Sequence, residues 1–95
     1  MSRTLLALTG PKAGVRYTLE VGVTVVGRSS DSGIQVFDDS VSRHHARFVI
    51  EDEGGATVED LSSQNGTRLN GSPLVASRGL KAGDTLSIGG TTFVF

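Results

Sequence analysis

The turn signals are spaced so closely that they constrain this chain more than any other feature. Thr9-Gly10-Pro11, Asp31-Ser32-Gly33, Glu53-Gly54-Gly55, Asn65-Gly66, Asn70-Gly71-Ser72-Pro73, Ala82-Gly83-Asp84 and Gly89-Gly90 punctuate it, and the segments between them show no amphipathic helix of useful length. The segments between them are short and rich in Val, Ile and Thr. Their apolar residues recur at period two, as in strands with one buried face. The spacing predicts strands at Arg3 to Leu8, Val15 to Glu20, Thr24 to Gly27, Ile34 to Val36, His45 to Glu51, Ala56 to Asp60, Arg68 to Leu69, Thr85 to Ile88 and Thr92 to Phe95. Within them Ala46, Phe48 and Ile50 share the expected core face, opposite Arg47, Val49 and Glu51. Leu86 and Ile88 repeat the pattern, and Val58 alternates with Thr57 and Glu59. Short strands at close spacing predict an all-β sandwich.

Size and charge narrow the function. A chain of 95 residues is one domain over 1–95, with a single core and no deep internal cavity. It carries no internal repeat or linker, and a start at Met1 with an end in an apparent strand fits a domain excised from a longer protein. Without Cys there is no disulfide and no thiolate metal site. No apolar run approaches the roughly 20 residues that span a bilayer, and no secretory leader is evident, so the expectation is a cytoplasmic protein with no membrane partner. Lys+Arg 9 against Asp+Glu 10 gives a net charge of -1, which speaks against nucleic acid as a partner. The basic residues are mostly Arg, whose planar fork matches oxyanions.

Three clusters carry polar residues that a sandwich does not demand. Gly27-Arg28-Ser29-Ser30-Asp31 follows an apolar strand, so Gly27 ends it sharply and Arg28 projects from a loop. Ser42-Arg43-His44-His45-Ala46 invites a metal or triad reading. Neighbouring residues on a strand point to opposite faces, so His44 and His45 cannot share an ion, and no metal or cofactor is expected. A Ser42, His45, Asp60 triad lacks the strand-to-helix nucleophile turn and an oxyanion pair, so the chain does not read as an enzyme. His45 reads instead as a partly buried imidazole bonded to loop backbone, with His44 on the outer side. The third cluster, Asp60-Leu61-Ser62-Ser63-Gln64-Asn65-Gly66-Thr67-Arg68-Leu69-Asn70-Gly71, contains two Asn-Gly pairs. Each is a turn signal, and each Asn also offers a bidentate amide to a peptide main chain. Two Arg, a Ser and two Asn on separate loops suit an oxyanion carried on a peptide, held by loops rather than by a helix N-terminus.

In this order and spacing, Gly27-Arg28, Ser42-Arg43-His44-His45-Ala46, Asp60 to Gly71, Leu80-Lys81-Ala82-Gly83-Asp84 and Ile88-Gly89 resemble forkhead-associated (FHA) domains over nearly the whole chain. The resemblance implies an eleven-stranded β-sandwich that binds phosphothreonine peptides through loops at one end. It further implies that Arg28 binds the phosphate, that Ser42 donates to a phosphate oxygen and that Arg43 adds a second contact. Asn65 would hold the peptide main chain, and Asn70 would make a further peptide contact. Gly27, His45 and Gly66 are implied as scaffold, His45 fixing the loop that carries Ser42. The residue before the Asn is commonly Thr in the family and is Gln64 here, after Ser63; either side chain has a donor for the phosphate. The implied partner is a phosphothreonine protein, the substrate of a Ser/Thr kinase, in signalling. The alternative is an FHA-type scaffold that assembles with a partner independently of phosphate.

Overall fold

The computed structural model describes residues 3–95, so Met1 and Ser2 lie outside the described residues. Eleven strands form in chain order: β1 (Arg3–Ala7), β2 (Arg16–Leu19), β3 (Gly22–Gly27), β4 (Ile34–Gln35), β5 (Ala46–Ile50), β6 (Ala56–Asp60), β7 (Thr67–Leu69), β8 (Ser72–Pro73), β9 (Arg78–Gly79), β10 (Thr85–Ile88) and β11 (Thr91–Val94). No helix occurs among the described residues, and none is therefore long and apolar enough to cross a membrane. Nine strands coincide with expected segments to within about two residues at either end; β8 and β9 are additional. These two contribute only exposed pairs of residues, too short to show a period.

The strands make two sheets. One has six strands in the order β2-β1-β11-β10-β7-β8, and the other five in the order β4-β3-β5-β6-β9. Both put alternate residues into one core. From the six-stranded sheet come Leu5, Ala7, Leu19, Leu69, Leu86, Ile88 and Phe93, and from the five-stranded sheet Val26, Ile34, Ala46, Phe48, Ile50, Ala56 and Val58. The expected series holds: Ala46 and Phe48 are 0% exposed and Ile50 is 2% exposed. Burying a Phe or Leu side chain stabilises by about 1.5–3 kcal/mol, so Phe48 and Phe93, one from each sheet, anchor the packing.

Strand register decides where the loops meet. β3 and β5 are antiparallel with Val26 opposite Ala46, so the end of β3 at Gly27 lies beside the start of β5. β5 and β6 are antiparallel with Ala46 opposite Asp60, which brings the end of β6 to the same place. In the other sheet Ile88 stands opposite both Thr67 and Thr91, so the start of β7 and the Gly89-Gly90 turn come out together. Hydrogen bonds from His45 to Gly66 and from Gly90 to Ser40 join these two sets of ends across the sandwich. The segments 28–33, 36–45, 61–66 and 89–90 thus form one end of the molecule.

Candidate functional site

Gly27 sets the approach of the first two loops. A Cβ there would lie 2.0 Å from the Arg43 carbonyl oxygen, so only glycine lets β3 run this close to the segment 42–43. The closeness is used: the Arg28 N–H donates to the Ser42 carbonyl at 2.9 Å and the Ser29 N–H to the Arg43 carbonyl at 3.1 Å. The Ser32 hydroxyl adds a second bond to that carbonyl at 3.1 Å. Arg28 is exposed, and its Nε donates to the Val41 carbonyl at 3.0 Å. That bond fixes the guanidinium by its inner nitrogen. Among the described residues its two terminal amino groups have no hydrogen-bond partner. Arg43 is exposed beside it, and among the described residues only its backbone is engaged.

His45 braces the second loop to the third. It is 0% exposed. Its Nδ1 accepts the Ser42 backbone N–H at 3.0 Å, and its Nε2 lies 2.8 Å from the Gly66 carbonyl oxygen. An N–H only donates and a carbonyl only accepts, so the pair fixes the neutral tautomer with its proton on Nε2. The Ser42 hydroxyl oxygen accepts the Gln64 N–H at 3.0 Å, which leaves the hydroxyl proton to point elsewhere. Because the imidazole holds the Ser42 backbone rather than its hydroxyl, and lies 3.9 Å from Asp60 Oδ1, the three residues are not arranged as a nucleophilic triad.

Asp60 organises the third loop. Its Oδ1 accepts the hydroxyls of Ser63 and Thr67, each at 2.6 Å, and its Oδ2 accepts the Ser63 N–H at 2.9 Å. Burial by itself pushes the carboxyl up, but these donors outweigh it and hold the Asp60 carboxyl below the usual range. The Ser63 hydroxyl gives its proton to Asp60 and accepts the Gly66 N–H at 2.9 Å, so it has no proton for a ligand. Gln64 is exposed, and its side chain has no partner among the described residues. Gly66 has a φ of 81°, a left-handed conformation that frees the chain to turn back under Asn65. Asn65 is exposed, its Nδ2 donating to the Ser40 carbonyl at 2.8 Å, and its Oδ1 has no partner among the described residues.

Arg28, Ser42, Arg43, Gln64 and Asn65 therefore meet at one end of the sandwich, with Gly27, His45 and Gly66 beneath them. Asn70 does not join them. Asn70 follows the far end of β7 (Thr67–Leu69), whereas Asn65 and Gly66 precede its start, so the strand carries the chain away from the Asn65 loop before Asn70 is reached. The Asn70 amide is also occupied: Nδ2 donates to Asp84 Oδ1 at 3.0 Å and Oδ1 accepts the Thr85 N–H at 2.9 Å. With a φ of 51°, Asn70 is a turn residue tied to the start of β10. The buried Thr67 bonds Asp60, and Asp38, Ser40 and Thr91 bond one another; the sequence marks Asp38 to Ser40 only as loop residues able to read the flanks of a phosphothreonine, since lone Asp, Ser and Thr residues carry no local signal of such bonds.

His44 lies on the outside as expected, its Nε2 2.8 Å from Asp31 Oδ1 and both side chains at least half exposed. Among the described residues there is no group of three metal-ligating side chains. A cleft of about 260 Å³ shares Asp60 with the network and is otherwise lined by Glu59, Ser62, Leu74, Val75, Ala76 and Ser77. Neither Arg28, Ser42 nor Asn65 lines it, so the convergent polar groups form an open surface and not that cleft.

The FHA domain family profile matches residues 24–89, a span that holds Arg28, Ser42, Arg43, Gln64 and Asn65. The chain belongs to the FHA domain family. Its 99% coverage at 42% identity with the oxoglutarate dehydrogenase inhibitor of Corynebacterium efficiens takes in 65% of that protein. The glycogen accumulation regulator GarA of Mycobacterium tuberculosis is likewise 42% identical, over 99% of this chain and 57% of GarA. The chain thus spans less than two thirds of the length of these relatives. Among solved structures, one from a study of phosphothreonine-dependent FHA domain interactions superposes with a TM-score of 0.89 at 31% identity, covering 99% of this chain and 94% of the other. The FhaA FHA domain, solved in complex with the intracellular domain of Rv3910, gives a TM-score of 0.86 at 30% identity over 96% of each chain. The eleven-stranded FHA sandwich is therefore the fold of this chain, as the sequence resemblance implied.

Proposed function

We propose that this FHA domain is a phosphothreonine-dependent binding module, with the phosphate on Arg28, Ser42 and Arg43 and the peptide main chain on Asn65. One observation carries the reading. The terminal amino groups of Arg28, the Ser42 proton and the Asn65 Oδ1 are left unused by their neighbours among the described residues, as are the Arg43 and Gln64 side chains, while the bonds behind them hold the loops in place. Such an array is preorganised for an anion followed by a donor of main-chain type. Gln64 is the further donor beside the phosphate, because the Ser63 proton is already given to Asp60.

The bound species is a protein phosphorylated on threonine by a Ser/Thr kinase, and the domain acts by binding rather than by catalysis, within the cytoplasm. The whole span 1–95 acts as a single unit. Relatives named as an inhibitor and as a regulator support such a role. The rival reading is assembly with a partner independently of phosphate. A degenerate peptide library with a fixed central phosphothreonine, passed over the immobilised domain beside the same library carrying threonine, separates the two. Retention of the phosphorylated library alone is expected, and equal retention of both would overturn the proposal.

A further inference from the structure

We propose that Asp38, Ser40 and Thr91 are positioning residues for Asn65, forming a relay from the six-stranded sheet that sets the peptide main-chain contact separately from the His45–Asp60 brace. The inference rests on the phosphopeptide reading above. The relay begins at Thr91, 1% exposed at the start of β11, whose hydroxyl donates to Asp38 Oδ2 at 2.8 Å. Asp38 Oδ1 accepts both the Ser40 N–H at 2.9 Å and the Ser40 hydroxyl at 2.6 Å. With its proton committed, the Ser40 oxygen accepts the Gly90 N–H at 2.6 Å. The Ser40 carbonyl then takes the Asn65 Nδ2 at 2.8 Å.

Each link removes one freedom from the next. A Cβ on Gly89 would lie 2.5 Å from the Ser40 carbonyl oxygen, so the β10–β11 turn closes off one side of that carbonyl. The Ser40 hydroxyl, the Ser40 N–H and the Thr91 hydroxyl, in that order, hold the Asp38 carboxyl below its ordinary range, so it stays an acceptor throughout neutral conditions. Asn65 is exposed, and its one side-chain hydrogen bond among the described residues is the one to the Ser40 carbonyl. Its single bond to Ser40 therefore decides which way its Oδ1 faces, and that bond is only as well directed as the Ser40 carbonyl. A flexible exposed amide must lose rotamer freedom on binding, and the relay removes part of that loss beforehand.

The test uses two ligands and an NMR signal. Inorganic phosphate probes the anion contacts alone, and a short phosphothreonine peptide with alanine flanks probes them together with the main chain. Asp38→Ala and the near-isosteric Thr91→Val should each weaken the peptide by about two- to tenfold, the value of one hydrogen bond, with phosphate affinity unchanged. Asp38→Asn, which keeps an acceptor oxygen, should restore part of the peptide affinity. Asn65→Ala combined with Asp38→Ala should bind no more weakly than Asn65→Ala alone, since both remove the same contact. In the free protein the Asn65 side-chain amide signals should move in Asp38→Ala to the positions of an unrestrained amide. Equal weakening of both ligands, full additivity with Asn65→Ala, or unmoved Asn65 signals would overturn the relay. A wild-type domain that ignores phosphorylation would sink the phosphopeptide reading by itself, and the Asn65 signals would still decide whether the relay positions that amide.

Discussion

The two halves of the site are held in opposite ways. The phosphate half rests on a fully buried imidazole and a partly buried carboxylate, so the loops carrying Ser42 and Gly66 are tied into the core by groups that are wholly or largely shielded from water. In the peptide half a single exposed amide hangs from the Ser40 carbonyl, which a carboxylate of the same loop and a strand hydroxyl of the other sheet steady. Charge needs rigidity more than a main-chain hydrogen bond does. A preorganised array gives most to the ligand whose desolvation is hardest, and a dianion is hard to desolvate. The first half should therefore couple binding to stability, and the second should let binding fail while the fold stands.

The largest expected effect separates charge from scaffold. Arg28→Ala should weaken phosphopeptide binding by about 2–5 kcal/mol, the usual loss for one member of a charge-assisted pair, with little change in melting temperature. Wild-type affinity in calorimetry would show that the anion sits elsewhere. His45→Ala comes next and should act on both quantities. It strands the Ser42 N–H and the Gly66 carbonyl, at about 1–3 kcal/mol of stability for each group left buried without a partner, and phosphate binding should fall with it. Unchanged melting with lost binding would place His45 in the ligand contact instead of in the brace.

Two asparagines sharpen the contrast at a smaller scale. Asn65→Ala should cost roughly 1–2 kcal/mol of peptide affinity and almost no stability. Asn70→Ala should do the reverse, lowering stability by about 1 kcal/mol through the lost bonds to Asp84 and Thr85 while affinity stays put. A loss of affinity in Asn70→Ala, measured by titration, would bring that corner back into the site.

Acidity should resolve the halves in time, as it were, along one titration. The second ionisation of a phosphorylated side chain lies near pH ~6, and Arg28 with Arg43 favours the dianion, so affinity should weaken as the pH falls through that region. The carboxylates of the site's support take no stability away there. Asp84 is held low first by the Asn70 amide and then by the Lys81 N–H; Asp38 and Asp60 are also held low. A depressed folded value means stabilisation that is complete above the unfolded value of about 3.9 and lost only as the pH drops through the folded values. An affinity that stays flat from neutral to mildly acidic conditions would contradict recognition of the dianion. The smallest effect concerns the methyl of phosphothreonine, which should favour it over phosphoserine by roughly 0.8 kcal/mol or more in paired titrations.

Period and punctuation are enough to read nine of the eleven strands from the chain, because burial of one strand face writes itself into alternate residues such as Ala46, Phe48 and Ile50. Residues whose role depends on a partner distant in sequence were less legible. Ser63 offers a hydroxyl in the sequence, and only the Asp60 carboxylate beside it shows where the proton goes. Asn70 carries the same Asn-Gly signature as Asn65, yet three residues of β7 place it at the opposite end of that strand. Asp38 and Thr91, 53 residues apart, meet only through the packing of one sheet on the other.

The most direct test of this account is a titration of the isotopically labelled domain with a phosphothreonine peptide and with its unphosphorylated twin, followed at each backbone amide. The account predicts shifts from the phosphopeptide at Arg28, Ser42, Arg43, Gln64 and Asn65, silence at Asn70 and Asp84, and no shifts from the twin. Matching shifts from both peptides, or shifts centred on exposed Val23 and Phe37 instead, would contradict it.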